Sequence, residues 1–142
     1  MFEKTRLLAI DRRRMIFFAL FVGMFIFTEI GRQIYRPYIY AHDIFDFWIA
    51  DTIGNLTGTI TIIFFELALI NPDHRKGKML LLLIPIGLIG YELAQYFSPR
   101  SILDWRDMVA TVVAGAISFG IYEFVCRGCE KTISDSLHFG GI

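Results

Sequence analysis

The amino-acid sequence predicts an all-α polytopic membrane protein with four transmembrane helices, arranged as two tandem parallel-repeat hairpins. Three observations carry this expectation. Four uncharged apolar runs occupy 15–28, 52–65, 79–91 and 108–122. Lysine and arginine gather in alternate connections between them, and one pattern of acids and small residues recurs in the two halves. The 142-residue chain is 55% hydrophobic and 15% aromatic, with a mean hydropathy of +0.53. Such a composition excludes a disordered or collagen-like chain. The balance of 14 cations and 14 anions excludes an overall basic nucleic-acid binder.

Each run is 13–15 residues long, about 20–22 Å of helix at about 1.5 Å per residue. A hydrocarbon core is about 30 Å thick and takes about 20 residues to cross. Each span must therefore continue through a flanking charge. The expected spans are 15–35, 47–70, 79–98 and 105–126, within one membrane domain covering 1–142. A basic cytoplasmic N-terminus, 1–14, precedes them. A short polar cytoplasmic tail, 127–142, follows and is expected to be partly disordered.

The first span follows a basic segment as a signal peptide would. After Phe27 the chain reads Thr-Glu-Ile-Gly-Arg, which offers no small-residue cleavage site, so the span is read as retained. The second opens at Asp46-Phe47-Trp48-Ile49-Ala50-Asp51; its Asn55-Leu56-Thr57 matches a glycosylation sequon but falls inside the helix. Pro85 is expected to kink the third span by freeing the Leu81 carbonyl, with Gly87 and Gly90 beyond it admitting a neighbour. The fourth opens at Asp104-Trp105-Arg106-Asp107.

Orientation follows from the cations. Ten of the 14 lie in the N-terminal segment, the second loop and the tail, and four (Arg32, Arg36, Arg100 and Arg106) lie in the first and third loops. The positive-inside rule then places both termini in the cytoplasm and the chain in the cytoplasmic (inner) membrane. Tyr35, Tyr38, Tyr40, Trp48, Tyr91, Tyr96 and Trp105 gather at the opposite end as an interfacial belt. On this topology the acids divide seven and seven, so net zero conceals a polarised molecule.

The halves resemble each other. Glu29, Gln33 and Arg36 close the first span, and Glu92, Gln95 and Arg100 close the third. After each acid–aromatic cluster, Gly54 and Gly58 follow Asp51 at the offsets at which Ala110 and Ala114 follow Asp107. Small residues at this spacing let helices approach closely in lipid, so spans two and four are expected to pair. Asp51, Asn55 and Gly58 share one helix face, as do Asp107, Thr111, Ala114 and Ser118. The candidate polar cluster at the outer end is therefore Glu29, Arg36, Asp51, Asn55, Glu92, Gln95, Arg100, Asp104 and Asp107. Ionisable groups within spans face the bundle interior and pair, in the service of either binding or helix registry. Glu66 and Glu123 read as snorkelling residues at the inner interface.

Glu92-x-x-Gln95-x-Phe97, followed by Arg100, Asp104 and Asp107 and then a small-residue helix, resembles the VanZ-like family over about residues 85–118. Asp51, Asn55 and Gly58 also look like the family's Asp-x-x-x-Asn-x-x-Gly motif, although Thr111 stands where the Asn is expected after Asp107. The resemblance implies a small envelope protein with several short spans, of a kind linked to low-level glycopeptide (teicoplanin) resistance.

Other residues point nowhere specific. Cys126-x-x-Cys129 has no second pair for zinc, and free thiols are expected on a reducing side. His42, Asp43 and Asp46 read as a solvated loop. No nucleophile has an obvious base, so no catalytic residue, cofactor or metal is assigned. Three readings follow: an amphiphile- or lipid-headgroup-binding envelope protein, an accessory or scaffold subunit of a larger membrane complex, and a small proton-coupled carrier. The expected partners are membrane lipids, and other membrane subunits or a homo-oligomer, but no nucleic acid.

Overall fold

The computed structural model describes residues 2–95, 97 and 104–139, with side chains described for 12–95, 97 and 104–129. Helix α1 (Phe2–Ile30) passes through a widened π-helical turn (Gly31–Tyr35) into α2 (Arg36–Ala41). Helices α3 (Ile49–Ile70), α4 (His74–Gln95) and α5 (Trp105–Phe139) follow. Among the described residues four helical stretches are long and apolar enough to cross a membrane: Arg12–Ala41, Ile49–Ile70, His74–Gln95 and Trp105–Cys129.

These stretches match the four expected spans in number and order, and their ends differ in instructive ways. The π turn precedes Pro37, which lacks an N–H and whose ring would crowd the Gln33 carbonyl in a regular α-helix. The Arg36 N–H bonds instead to the Gly31 carbonyl, five residues back. The tail, expected to be partly disordered, is helical through Phe139. No proline interrupts 105–139, and the pair Gly140 and Gly141 comes only afterwards.

Helices α3 and α5 form the inner pair. In their most apolar windows 39% and 33% of residues are buried, against 11% and 17% for the first and third stretches. α1 lies along α3, α4 lies along α5, and α3 and α5 pack on each other. Ala110 and Ala114 are buried. A Cβ added at Gly54 or Gly58 would meet nothing within 4 Å, so the close approaches lie elsewhere. One is at Gly31, whose added Cβ would sit 3.1 Å from Ile53 Cδ1. Another is at Gly115, where it would sit 2.9 Å from Pro85 Cγ. α4 runs unbroken through Pro85, and its neighbour is seated at Gly115 rather than at Gly87 or Gly90, around which the space is open.

The core lies toward the end bearing the α3–α4 connection, here called the basic end. Phe17 stacks on Phe64 at 6.0 Å between centroids and on Tyr122 at 5.7 Å. Ile60, Ile63, Leu67, Leu81 and Ala114 close around them. Each ring pair contributes about 0.5–1.5 kcal/mol beyond its burial. Arg13 donates to Asn71 Oδ1 at 2.9 Å and to the Pro72 carbonyl at 2.6 Å, and Arg14 Nε donates to the Ala68 carbonyl at 2.9 Å. Two guanidinium groups thus satisfy carbonyls at the C-terminal end of α3, where the helix dipole favours cations. Glu123, expected to snorkel, is instead only 19% exposed and pairs with Lys78 at 2.8 Å, His74 at 3.6 Å and Arg127 at 3.7 Å. Because α4 starts at His74, it brings His74 and Lys78 onto the α5 carboxylate. On the outward faces Phe18, Phe25, Ile26, Leu82, Leu83, Ile86, Val112 and Phe124 are exposed, and the apolar surface continues around the bundle.

Candidate functional site at the aromatic end

At the opposite end, the N-termini of α3 and α5 carry the repeated acid–aromatic clusters, and the first aspartate of each caps its helix. Asp46 Oδ2 accepts the Ala50 N–H at 2.7 Å, and the Asp46 carbonyl accepts the Ile49 N–H at 3.3 Å. Asp104 Oδ1 accepts the Arg106 N–H at 2.9 Å, and its carbonyl accepts the Asp107 N–H at 3.2 Å. Both satisfy N–H groups that the first turn leaves without an intrahelical partner. Tyr35 donates to the same Asp46 Oδ2 at 3.1 Å, tying α3 back to the π turn.

The loop that Asp46 holds is strained. Asp43, Phe47 and Trp48 have φ of 50°, 56° and 64°, a left-handed conformation that bulky L-residues rarely adopt. Each such residue costs on the order of 1–3 kcal/mol, and strain of this kind gathers at ligand sites. Trp48, at the N-cap of α3, is turned by this backbone toward α5, where the Arg106 guanidinium lies 4.2 Å from its ring centroid.

Five residues of the candidate cluster come together in a polar knot. Arg36 Nε donates to the Tyr40 hydroxyl at 3.2 Å, and that hydroxyl donates to Asp51 Oδ1. Asn55 on α3 lies beside the Asp107 carboxylate on α5, with Asp51, Asp104 and Arg36 within electrostatic reach. Thr111, the counterpart of Asn55, turns back on its own helix and donates to the Asp107 carbonyl at 2.9 Å. Glu29 stays apart, paired with Arg32 at 3.2 Å and Gln33 at 3.5 Å on its own helical stretch. Glu92 is half-buried on α4 and has no hydrogen-bond or ion-pair partner among the described residues. Gln95 is half-buried at the end of α4. Arg100 lies outside the described residues.

Beside the knot a trough of about 240 Å³ runs between α3 and α5. Leu56, Val109, Ala110 and Val113 form its floor with Thr52, whose hydroxyl donates to the Trp48 carbonyl at 3.0 Å, and Phe47, Trp48, Trp105 and Arg106 form its rim. Asp51, Asn55 and Asp107 do not line it; the floor residue Leu56 stands about 100° around α3 from Asn55. The α3–α5 seam thus has two faces, one polar and one open and largely apolar beside aromatic and cationic side chains. The residues missed by sequence reasoning are Arg106 and Trp48 as a pair, and Asp46 and Asp104 as caps. Their signal was the repeated Asp-aromatic pattern, read as a mark of duplication and, for its tryptophans, as an interfacial belt.

A trough of this kind suits the junction between the head and tail of an amphiphile. The indoles and the guanidinium offer hydrogen bonds and charge at the rim, and the floor offers aliphatic contact. Pockets for drug-sized ligands run to roughly 300–1,000 Å³, so this trough accommodates a segment rather than a whole molecule. His42 does not join Asp43 and Asp46; its ring lies 4.3 Å from that of Tyr38, with Nδ1 2.9 Å from the Tyr38 carbonyl. Among the described residues no three His, Cys, Asp or Glu converge as a metal site. Comparison of the chain with protein-family models, with curated proteins and with solved structures gives no match.

Proposed function

We propose that the chain is a VanZ-like integral membrane protein of the bacterial cell envelope that binds an amphiphile at its aromatic end. In this reading it crosses the inner membrane four times as two tandem hairpins, with both termini cytoplasmic. The observation that carries the binding reading is the α3–α5 trough, where Trp48, Trp105 and Arg106 rim a largely aliphatic floor. The polar knot behind it holds the two walls in register, the best-attested role of buried polar groups. Support for insertion comes from the four apolar stretches and the exposed apolar faces between their ends. Support for duplication comes from the shared offsets at which Gly54 and Gly58 follow Asp51 and Ala110 and Ala114 follow Asp107. The lysine and arginine distribution supports the orientation.

Expression in a teicoplanin-susceptible bacterium tests this reading. The wild-type chain is expected to raise the inhibitory concentration, and Arg106→Gln to remove the rise at equal membrane abundance. No rise with the wild-type chain counts against the family reading. An undiminished rise with Arg106→Gln counts against the trough.

One observation favours an accessory-subunit role. Glu92 sits within an apolar stretch with no partner among the described residues, and a cation from a neighbouring chain would compensate it. Native mass in mild detergent decides: a particle at monomer mass with no partner removes this reading.

A further inference from the structure

A second groove, of about 260 Å³, lies between α1 and α3 at the basic end, far from the trough. Met15, Phe18, Phe65 and Leu69 form its walls and are exposed on the outward surface of the bundle, with Ala68 at its base. Arg14 closes one end, its guanidinium fixed by the Nε bond to the Ala68 carbonyl at 2.9 Å.

The described partners of Arg13 and Arg14 are neutral oxygens, and among the side chains described, those of 12–95, 97 and 104–129, no carboxylate lies within 4.0 Å of either guanidinium. Glu123, the best-paired acid at this end, is occupied by Lys78, His74 and Arg127. An arginine carries five N–H donors in a planar fork. Arg14 commits Nε to Ala68, and its two terminal nitrogens carry four further donors, a set suited to two oxygens of one phosphate. A cation at headgroup depth above an apolar groove is the chemistry by which helical membrane proteins hold anionic lipids.

We propose that this groove binds one anionic phospholipid of the bilayer, with its phosphate on Arg14 and an acyl chain along Met15, Phe18, Phe65 and Leu69. The volume suits one chain segment rather than a whole lipid, so the remainder of the molecule stays in the surrounding leaflet. The site is independent of the aromatic-end trough and shares no residue with it.

Native mass spectrometry of the full chain tests this, after equilibration in detergent with equal amounts of phosphatidylglycerol and phosphatidylcholine of the same acyl chains. The wild type is expected to retain one phosphatidylglycerol in preference to phosphatidylcholine. Arg14→Gln is expected to lower that retention about fivefold, the equivalent of about 1 kcal/mol for one cation at an anionic headgroup. Leu69→Trp fills the groove from its open side without touching Arg14, and is expected to lower retention in a protein of unchanged thermal stability. Arg106→Gln, at the other end, is expected to leave it unchanged. Equal retention of the two lipids overturns the proposal. So does wild-type retention in both Arg14→Gln and Leu69→Trp, or loss in Arg106→Gln alone. A dimer that Leu69→Trp dissociates would assign the groove to a second copy of the chain and overturn it as well.

Discussion

The two ends of the bundle are joined by different kinds of contact. At the basic end, stacked rings, a carboxylate set among Lys78, Arg127 and His74, and guanidinium-capped carbonyls bring all four long helices together. At the aromatic end, contact between α3 and α5 runs through a polar knot on one side, and the other side stays open beneath a strained loop. Ring stacking and dry packing do not accommodate a new occupant without a loss of contact energy. A trough whose rim is held by helix caps and a cation–π contact does. The difference teaches that rigidity and access are separated along the length of the helices, with the core supporting one end so that the other can stay open.

The largest expected effect is at Gly77. A Cβ there would lie 2.6 Å from Tyr122 Cζ, beneath the ring that stacks on Phe17. Gly77→Ala is expected to cost about 2–3 kcal/mol, the range for overpacking a filled core. Thermal unfolding in detergent reads this, and the added cost should shrink when Tyr122→Ala removes the ring. Glu123→Ala comes next. It leaves Lys78 and His74 without their carboxylate in a half-buried site, and a loss of about 2 kcal/mol is expected, below the values for fully buried pairs. Equal stability of Glu123→Ala and wild type would show the basic end to be held by packing alone.

Effects at the aromatic end are expected to be smaller in stability and larger in binding. Asp46→Ala removes the α3 cap and the Tyr35 tie, for about 1 kcal/mol. It should also release the loop that aims Trp48, which a change in tryptophan emission would report. Phe47→Gly has the smallest expected effect and the opposite sign. It relieves a φ of 56° and is expected to raise stability by up to about 1 kcal/mol. A lower unfolding temperature for Phe47→Gly would mean that the Phe47 ring contributes more than its backbone costs.

Much of this architecture was legible in the chain. Uncharged runs and cation placement give the number, order and approximate ends of the helices, because bilayer thickness imposes a length that hydropathy reveals. The partition of the polar cluster was not legible. Spacing says that Asp51 and Asn55 share a face, but the neighbour which that face meets depends on the rotation of α3 against α2 and α5. Glu29 and Glu92 hold matching sequence positions and still stay out of the knot. The glycines carry the same lesson: Gly54 and Gly58 have the spacing of a packing motif and open space around them. Gly31, Gly77 and Gly115 have no motif, but each faces a side chain from a distant part of the chain. Arg106 and Trp48, 58 positions apart, meet only once α3 and α5 are side by side.

The division between a rigid end and a receptive end is tested most directly by tryptophan fluorescence. The chain has two tryptophans, Trp48 and Trp105, and both rim the trough. Titration with a short-chain brominated phospholipid should quench the emission of the wild type and of Glu123→Ala saturably. Arg106→Gln should lose the saturable component while unfolding at the wild-type temperature. Saturable quenching that survives in Arg106→Gln, or that vanishes in Glu123→Ala while the protein remains folded, would contradict the assignment of binding to the aromatic end.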